Sequence, residues 1–441
     1  MNILFILPEY YPHSGGGIST YYLHYIKALR NYCSSIHVMV GSGYTQDERT
    51  YTIEDGIQIE YLKPSMFDIY LQKFSKLSLF PEYQRNLAAA WAMWDQADQG
   101  KKYDLIECTD FGLGYIPWII NHHKPVVTRL HGSFGQIELK EPKLKQYLNG
   151  DLNRQTELNL LPQSDVLITH SEANQQFWKK MINKDVTMLY PVFIPPIIEF
   201  SYNGGKSDFA IVFARIQHWK GPDILCKAIQ ELGNNAPKVK WYGKDTAFSK
   251  TSSKSEELKN EYPTVWGSKI TWHSALPNDQ VLAEQKKAKF AIVPSTWDMF
   301  NFTCLEYMSA GIPVICSDGA GVSELIENGV NGFNYRKNDF SSLAKKINYV
   351  NTLPEHEREN IADSAMITIR TLLSPEKIIP QNINLYHYYI NNFKDKVSND
   401  YLKAIYKPSD TPFDIGDFLD VQPLRPLLQY IFKRIKKKFS L

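Results

Sequence analysis

Short apolar runs alternate with longer segments of helical periodicity along most of the chain. In the N-terminal half these runs lie at residues 3–7, 36–40, 105–107, 126–129 and 166–169. The second half repeats the pattern at residues 209–214, 239–242, 270–272, 290–293 and 314–316. Strands that alternate with helices in this way predict parallel sheets with right-handed crossover connections.

Each half opens with the same unit, which consists of a strand, a loop, a helix and a second strand. The loop is rich in glycine in the first half and basic in the second. The repetition predicts an α/β protein with two Rossmann-like domains, each a doubly wound parallel sheet. Prolines at positions 191, 195 and 196 restrict the stretch between the halves to extended conformations, which is typical of a linker.

The alternation of strands and helices stops near residue 375, and apolar residues then recur at helical spacing. We expect this C-terminal extension to be helical and to cross back to the N-terminal domain. The predicted division of the chain is an N-terminal Rossmann-like domain at residues 1–190, a linker at 191–207, a C-terminal Rossmann-like domain at 208–375 and helices at 376–441.

The most informative segment runs from residue 294 to residue 314, where a loop is followed by a helix that begins near Phe302. Asp298 lies in the loop, and Glu306 lies in the helix. Backbone amides at a helix N-terminus have no intrahelical acceptor and can bind a phosphate. The candidate donor contacts at this helix start are Phe300, Asn301, Phe302 and Thr303.

This segment resembles the E-x7-E signature of the retaining glycosyltransferases of family 4, which have the GT-B fold of two Rossmann-like domains facing across a cleft. Asp298 replaces the first glutamate of the signature, and Asn301 replaces its usual glycine. The resemblance implies that Glu306 holds the ribose hydroxyls of a nucleotide sugar and that Asp298 faces the donor hexose. It also implies that the domain at 1–190 is the acceptor side and the domain at 208–375 is the donor side. The matching positions are Asp298, Phe300, Leu305, Glu306, Met308, Ala310, Gly311, Pro313 and Val314.

Two cations lie in the basic loop that follows the first strand of the second half. The sequence from Ala214 to Gly221 resembles the Gly-Arg-Leu-x-x-x-Lys-Gly loop of the same family, with Arg215 and Lys220 as its cations. Two cations at the end of a strand can neutralise a diphosphate leaving group as charge develops on it. Solvated surface cations are the alternative interpretation.

Two further loops resemble parts of the family's cleft. Gly16 and Gly17 follow the first strand, where small residues let the backbone approach a diphosphate closely. The loop lacks the G-x-G-x-x-G spacing, which argues against a dinucleotide cofactor. His131 and Gly132 resemble the family's His-Gly pair, and the resemblance implies that His131 contacts the C6 hydroxyl of the donor sugar. A structural histidine is the alternative.

Composition narrows the possible partners. The net charge is only +2, which gives no support to nucleic-acid binding. The five cysteines are scattered without a CxxC pair and no Asp-x-Asp motif occurs, so we expect neither a disulfide framework nor a bound metal. No apolar run is long enough to span a bilayer, and the first one stops at Pro8. We therefore expect a cytoplasmic protein without a cofactor.

The end of the chain is both basic and apolar. Residues 433–438 contain five lysines and arginines. Apolar residues share one face at helical spacing, which is typical of an interfacial helix attracted to anionic lipid. These residues are Leu428, Ile431, Phe432, Ile435 and Phe439. A solvated basic end, or one packed on the protein body, is the alternative.

The family resemblance therefore implies a retaining glycosyltransferase that moves a hexose from a nucleotide-diphosphate sugar to a glycan or lipid-linked acceptor in surface polysaccharide biosynthesis. Two alternatives stay open. The departures at Asp298 and Asn301 are compatible with a nucleotide-sugar-binding protein of weak or no transferase activity. A different GT-B enzyme, such as a nucleotide-sugar epimerase or a phosphorylase, is the other alternative.

Overall fold

The computed structural model describes most of the 441-residue chain, namely residues 1–10, 12, 16–53, 56–141, 148–195, 207–247, 252–396, 399–411 and 413–438. Gly15 of the glycine-rich loop, most of the predicted linker and Phe439 of the terminal apolar face lie outside the described residues.

Two separate sheets are formed by the two halves of the chain. The first contains β1 (Asn2–Leu7), β2 (Ser35–Val40), β3 (Thr50–Ile53), β4 (Ile57–Tyr61), β5 (Leu105–Thr109), β6 (Val126–Arg129), β7 (Val166–Thr169) and β8 (Thr187–Met188). Their order is β3-β4-β2-β1-β5-β6-β7-β8, and all described neighbours are parallel except the antiparallel pair β3 and β4.

The second sheet is parallel throughout its described strands. It contains β9 (Phe209–Phe213), β10 (Lys238–Tyr242), β11 (Ile270–His273), β12 (Phe290–Val293), β13 (Val314–Ser317) and β14 (Phe333–Tyr335). Their order is β11-β10-β9-β12-β13-β14. Each predicted strand is present, with ends that differ from the prediction by at most two residues.

Helices cover both faces of each sheet. Those of the first half are α1 (Gly17–Leu29), α2 (Pro64–Lys73), α3 (Pro81–Gln96), α4 (Ile116–Ile120), α5 (Phe134–Lys140), α6 (Leu148–Leu160) and α7 (Glu172–Ile182). Those of the second half are α8 (Pro222–Leu232), α9 (Lys254–Glu261), α10 (Asn278–Gln285), α11 (Phe302–Ser309), α12 (Phe340–Thr352) and α13 (Glu355–Leu372). The C-terminal extension forms α14 (Pro375–Asn391), α15 (Asp400–Tyr406), α16 (Ile415–Asp420) and α17 (Leu424–Lys438).

Alternate residues of the central strands enter different cores. In β1, Leu4 and Ile6 pack in the cluster that contains α3, whereas Ile3 and Phe5 pack in the cluster that contains α1. Since consecutive side chains of a strand point to opposite faces, a continuous apolar strand requires a sheet that is covered on both sides. The arrangement confirms the predicted α/β architecture of two doubly wound, Rossmann-like domains.

Helix α14 returns from the second domain to pack on the first sheet. Its residues Ile378, Ile379 and Tyr386 are buried in the same cluster as Ile3 and Phe5. At its start, the Phe193 amide donates to the Leu373 carbonyl at 3.0 Å, so the linker and the end of α13 run side by side.

A buried polar network fixes α14 on the first sheet. The guanidinium of Arg129, at the end of β6, is fully buried and pairs with Glu107 through Nε and Oε1 at 2.7 Å. Its Nη2 also donates to Asn382 and to the Tyr386 hydroxyl of α14, both at 3.1 Å. The Tyr386 hydroxyl in turn donates to Glu107. Glu107 supplies the counter-charge that the buried Arg129 needs, and α14 adds hydrogen bonds to both members of this pair through neutral groups.

The last helices extend from the first domain toward solvent. The Tyr406 carbonyl of α15 accepts from Trp91 Nε1 at 2.8 Å, and the Tyr406 side chain is buried in the α3 cluster. Asp410 pairs with Lys73 at the end of α2 at 3.0 Å. No described side chain of α17 is buried, and no described helix is long and apolar enough to cross a bilayer.

Candidate active site

Two loops of the second domain meet at the carboxyl ends of β9 and β12. We call the loop that contains Arg215 and Lys220 the basic loop and the loop that contains Asp298 the acidic loop. Gly221 has a φ of +75°, and a Cβ there would lie 1.8 Å from the Pro294 carbonyl oxygen, so only glycine fits. The Trp219 carbonyl accepts from the Thr296 amide at 2.8 Å. Ligands of open α/β sheets bind at this end of the strands.

Lys220 and Asp298 form an ion pair where these loops meet. Lys220 Nζ lies 2.6 Å from Asp298 Oδ2, and the side chains are 20% and 15% exposed, respectively. The Asp298 backbone is held by hydrogen bonds with the 319–321 loop, from its amide to the Gly319 carbonyl and from the Gly321 amide to its carbonyl. Sequence reasoning placed both residues at one site, and the structure brings their charged atoms into direct contact.

Asn301 forms the turn into α11. Its φ is +80°, a left-handed conformation in which glycine and asparagine are the best tolerated residues. The side-chain carbonyl accepts from the Cys304 amide at 3.0 Å, which caps the helix, and Nδ2 donates to Asp298 Oδ2 at 2.8 Å. Among the described residues, the amides of Phe302 and Thr303 have no hydrogen-bond acceptor. The helix start is therefore free to receive an anion.

Glu306 lies in the second turn of α11, below this free helix end. Burial raises the pKa of its carboxyl group to about 7, while Gln285 opposes the rise. Gln285 Nε2 lies 3.5 Å from Glu306 Oε2 and is itself almost fully buried. Sequence reasoning missed Gln285, because an isolated glutamine matches no motif. Only the position of α10 in the structure brings it beside Glu306.

Arg215 is the other predicted cation of the basic loop, and it takes no part in the ion pair between Lys220 and Asp298. Its side chain is exposed at the end of β9, and it has no ion pair with any residue that the structure describes. Its guanidinium is accordingly free for a ligand but does not contact Lys220 or Asp298.

His131 follows β6 in the first domain, where its ring packs against those of Tyr21 and His170. A Cβ on the neighbouring Gly132 would lie 3.1 Å from Met299 and 3.4 Å from Trp297, which shows how closely the domains approach. Burial, His170 and Arg129 lower the pKa of His131 well below its usual value, so its ring is neutral. Its buried Nε2 has no partner among the described residues.

Asp110 positions the His131 loop, a role that sequence reasoning did not find. Its carboxylate accepts from the His131 amide at 2.8 Å and from the Gly132 amide at 3.2 Å. Burial raises its pKa to about 7, against the effect of these two amides. The sequence alone does not indicate this role, because it depends on β5 and β6 being neighbours in the sheet.

Gly16 and Gly17 lie at the start of α1, and their surroundings differ. Gly16 is the N-cap residue, and a Cβ there would lie 1.9 Å from Glu9 Oε1. The same carboxylate oxygen accepts from the Ser19 amide at 3.3 Å, so Glu9 occupies part of the helix N-terminus. Gly17 faces open space. Helix α1 also reaches the second domain, where the rings of Tyr21 and Phe302 are 6.0 Å apart.

A direct hydrogen-bonded contact joins the domains beside the site. Both carboxylate oxygens of Glu324 accept from the first turn of α7, from the Glu172 amide at 2.9 Å and the Ala173 amide at 3.1 Å. Glu324 thus caps a helix of the opposite domain and holds the two halves of the cleft together.

Comparison with known proteins gives consistent matches over both domains. Residues 15–192 match the family model described as "Glycosyltransferase Family 4", and residues 196–366 match "Glycosyl transferases group 1". An uncharacterized glycosyltransferase from Methanocaldococcus jannaschii is 23% identical over 341 residues, which is 77% of this chain and 85% of the relative.

Solved structures share the same fold at low sequence identity. Sucrose-phosphate synthase from Thermosynechococcus elongatus superposes with a TM-score of 0.71 at 15% identity, covering 88% of this chain and 99% of that one. Anabaena HepE in complex with UDP-glucose superposes with a TM-score of 0.62 at 20% identity, again over 88% and 99% of the two chains.

Proposed function

Because the chain belongs to the family 4 glycosyltransferases with the GT-B fold, we propose that it moves a hexose from a nucleotide-diphosphate sugar to a glycan or lipid-linked acceptor, with retention of the anomeric configuration. We further propose a role in surface polysaccharide biosynthesis. The observation that carries the proposal is the meeting of Lys220, Asp298 and the free start of α11 at one point. The known binding of UDP-glucose by HepE supports a nucleotide-sugar donor.

The proposed reaction relies on stabilising the leaving group. As the bond between the sugar and the diphosphate breaks, negative charge accumulates on the phosphate oxygen. Lys220, the exposed Arg215 and the amides of Phe302 and Thr303 can neutralise that charge. The acceptor hydroxyl attacks from the face that the phosphate leaves, and the phosphate takes its proton. The neutral ring of His131 can exchange hydrogen bonds with a sugar hydroxyl through its free Nε2.

Donor screening tests this proposal directly. Purified protein should bind at least one of UDP-glucose, GDP-mannose and ADP-glucose in calorimetry and hydrolyse it slowly without an acceptor. A Glu306→Ala variant should lose most of that binding, because the ribose hydroxyls lose their carboxylate. Tight binding without hydrolysis or transfer would support the binding-protein alternative, and no binding to any of the three would contradict the proposal.

Donor affinity should depend on pH through Glu306. The acid must be ionised to accept two ribose hydroxyls, and its pKa is raised to about 7. Affinity should therefore weaken as the pH falls through 7, by about tenfold between pH 8 and pH 6 for one such group. Calorimetric titrations across this range measure the effect. A Glu306→Gln variant should bind weakly and without this slope, whereas an unchanged slope would assign it to another group, such as Asp110.

We also propose that transfer needs no bound metal. Within the residues that the structure describes, no three or more His, Cys, Asp or Glu side chains converge as a metal site. Turnover should be unchanged in excess EDTA. Loss of turnover with EDTA and its recovery with Mn²⁺ or Mg²⁺ would refute this proposal.

We propose that α17 binds an anionic membrane surface. Its apolar side chains are exposed, with Phe432 at 68% and Ile431 at 49%, and lysines and arginines lie beside them. The alternative of packing on the body finds no support, because no described residue of α17 is buried. The chain before α17 is attached to the first domain, since the Tyr406 carbonyl accepts from Trp91 and Asp410 pairs with Lys73. We infer that α17 lies near this domain, which suits an acceptor carried on a lipid.

Vesicle sedimentation tests the membrane proposal. Removing residues 424–441 should abolish binding to vesicles that contain phosphatidylglycerol and leave donor hydrolysis unchanged. An Ile431→Ser and Phe432→Ser double variant keeps every charge and should also lose most binding. If the truncated protein sediments like the full chain, α17 is not the membrane contact.

A further inference from the structure

Asn301 occupies a backbone position that a glycine would satisfy without any side chain. Its left-handed φ of +80° explains why the related signature carries glycine here. Asparagine is one of the few other residues that adopt this conformation readily. The position therefore accepts a side chain only of particular types, and the question is what that side chain contributes.

The Asn301 amide group makes two hydrogen bonds in opposite directions. Its carbonyl oxygen accepts from the Cys304 amide, so its NH₂ group must face the other way, toward Asp298. Only the carbonyl oxygen can accept from a backbone N–H, which fixes this orientation. One side chain thus links the start of α11 to the acid that faces the donor sugar.

Asp298 receives both of its described hydrogen bonds on a single oxygen. Lys220 Nζ and Asn301 Nδ2 both approach Oδ2, at 2.6 and 2.8 Å. Oδ1 has no partner among the described residues and is left for a ligand. Two donors on one oxygen fix the plane of the carboxylate, because rotation about its bond to Cβ would break both.

The shorter acid makes this arrangement possible. Aspartate holds its carboxylate nearer to the backbone than glutamate does, by about one C–C bond, or about 1.5 Å. Its Oδ2 therefore lies within reach of a side chain three residues later, on the turn into α11. A longer glutamate at position 298 would direct its carboxylate into the space that Asn301 and Lys220 now share.

We propose that Asn301 is a positioning residue that fixes Asp298 for contact with the donor sugar, and that the two residues function as a pair. The inference rests on the proposed function and deepens it, since it gives both departures from the family signature one cause. Glutamate with glycine and aspartate with asparagine are then two ways to present one carboxylate oxygen to the sugar.

A double-mutant cycle tests the pairing through donor hydrolysis, using whichever of UDP-glucose, GDP-mannose and ADP-glucose the wild-type chain hydrolyses fastest. Asn301→Gly and Asp298→Glu should each lower kcat by about tenfold, as expected for the loss of one hydrogen bond to a charged group. The Asp298→Glu and Asn301→Gly double variant should lose about tenfold or less. Independent sites would multiply to a loss of about a hundredfold, and that result would overturn the pairing.

Further measurements separate positioning from simple damage to α11. Asn301→Asp keeps the helix cap and tolerates a positive φ, but it cannot donate to Asp298. This variant should lose at least as much kcat as Asn301→Gly with an unchanged Tm, whereas donor affinity should fall because the added carboxylate repels the diphosphate. Asn183, a left-handed residue that ends α7, supplies the matched control, and Asn183→Gly should keep wild-type kcat.

The outcomes also separate this inference from the proposed function. Wild-type kcat in Asn301→Asp overturns the positioning role while leaving the glycosyltransferase proposal intact. A parallel loss of kcat, Tm and donor affinity in every Asn301 variant assigns the residue to helix capping alone and likewise overturns it. A wild-type chain that neither binds nor hydrolyses any of the three donors overturns both proposals.

Discussion

Replacement of Lys220 with alanine should lower turnover by about 10²–10³-fold, the loss that follows removal of one preorganised group from a developing negative charge. The Lys220 ammonium lies 2.6 Å from Asp298 beside the free helix start, where the leaving phosphate is proposed to bind. Steady-state transfer or donor hydrolysis measures the effect. The Tm should shift by no more than about 2–4 °C, because a partly exposed ion pair contributes little to stability.

The same domain offers a matched control for this prediction. Lys289 is 19% exposed, close to the 20% of Lys220, and pairs with Asp208 at 3.3 Å. It precedes β12 and therefore lies at the opposite end of the sheet from the site. Lys289→Ala should keep wild-type turnover. Near wild-type turnover in Lys220→Ala would contradict the proposed role of the basic loop.

Replacement of Arg129 with methionine should cause the largest loss of stability, about 3–5 kcal/mol. The guanidinium is fully buried, and its removal leaves the equally buried Glu107 carboxylate without a counter-charge. The same change deprives Asn382 and Tyr386 of α14 of their hydrogen-bond donor. Urea denaturation followed by tryptophan fluorescence should show the shift as a lower unfolding midpoint.

A second variant distinguishes a buried charge from lost packing. Replacing Arg129 with methionine and Glu107 with leucine together removes both charges, so the double variant should be more stable than Arg129→Met alone. Tyr386→Phe removes one hydroxyl and should have a smaller effect than Arg129→Met. If Arg129→Met unfolds at the wild-type midpoint, the network does not hold α14 in place.

The fold was largely predictable because its central strands are apolar on both faces. Four strands, β3, β4, β8 and β14, escaped prediction, and β4 and β14 illustrate two of the reasons. Strand β4 alternates buried and exposed residues near the sheet edge, with Gln58 exposed, and β14 has only three residues. A search of the sequence for continuous apolar runs finds neither β4 nor β14.

Site residues that belong to a sequence motif could be predicted. Site residues that are brought together only by the order of strands and helices could not. The resemblance of two loops to family motifs predicted that Lys220, Asp298 and Glu306 share one cleft, and the structure brings Lys220 and Asp298 into direct contact. Asp110 and Gln285 became meaningful only when neighbouring elements placed them beside His131 and Glu306. Isolated polar residues of this kind have no periodic or spacing signal, because their partners are distant along the chain.

The return of α14 makes the first packing unit discontinuous in sequence. A fragment that ends before residue 375 would lack Asn382 and Tyr386 and would expose the sheet face that contains Ile3 and Phe5. The polypeptide also passes between the lobes twice, and the two passages are tied together where Phe193 meets Leu373. Proteolytic cleavage of one passage would therefore leave the two domains attached through the other.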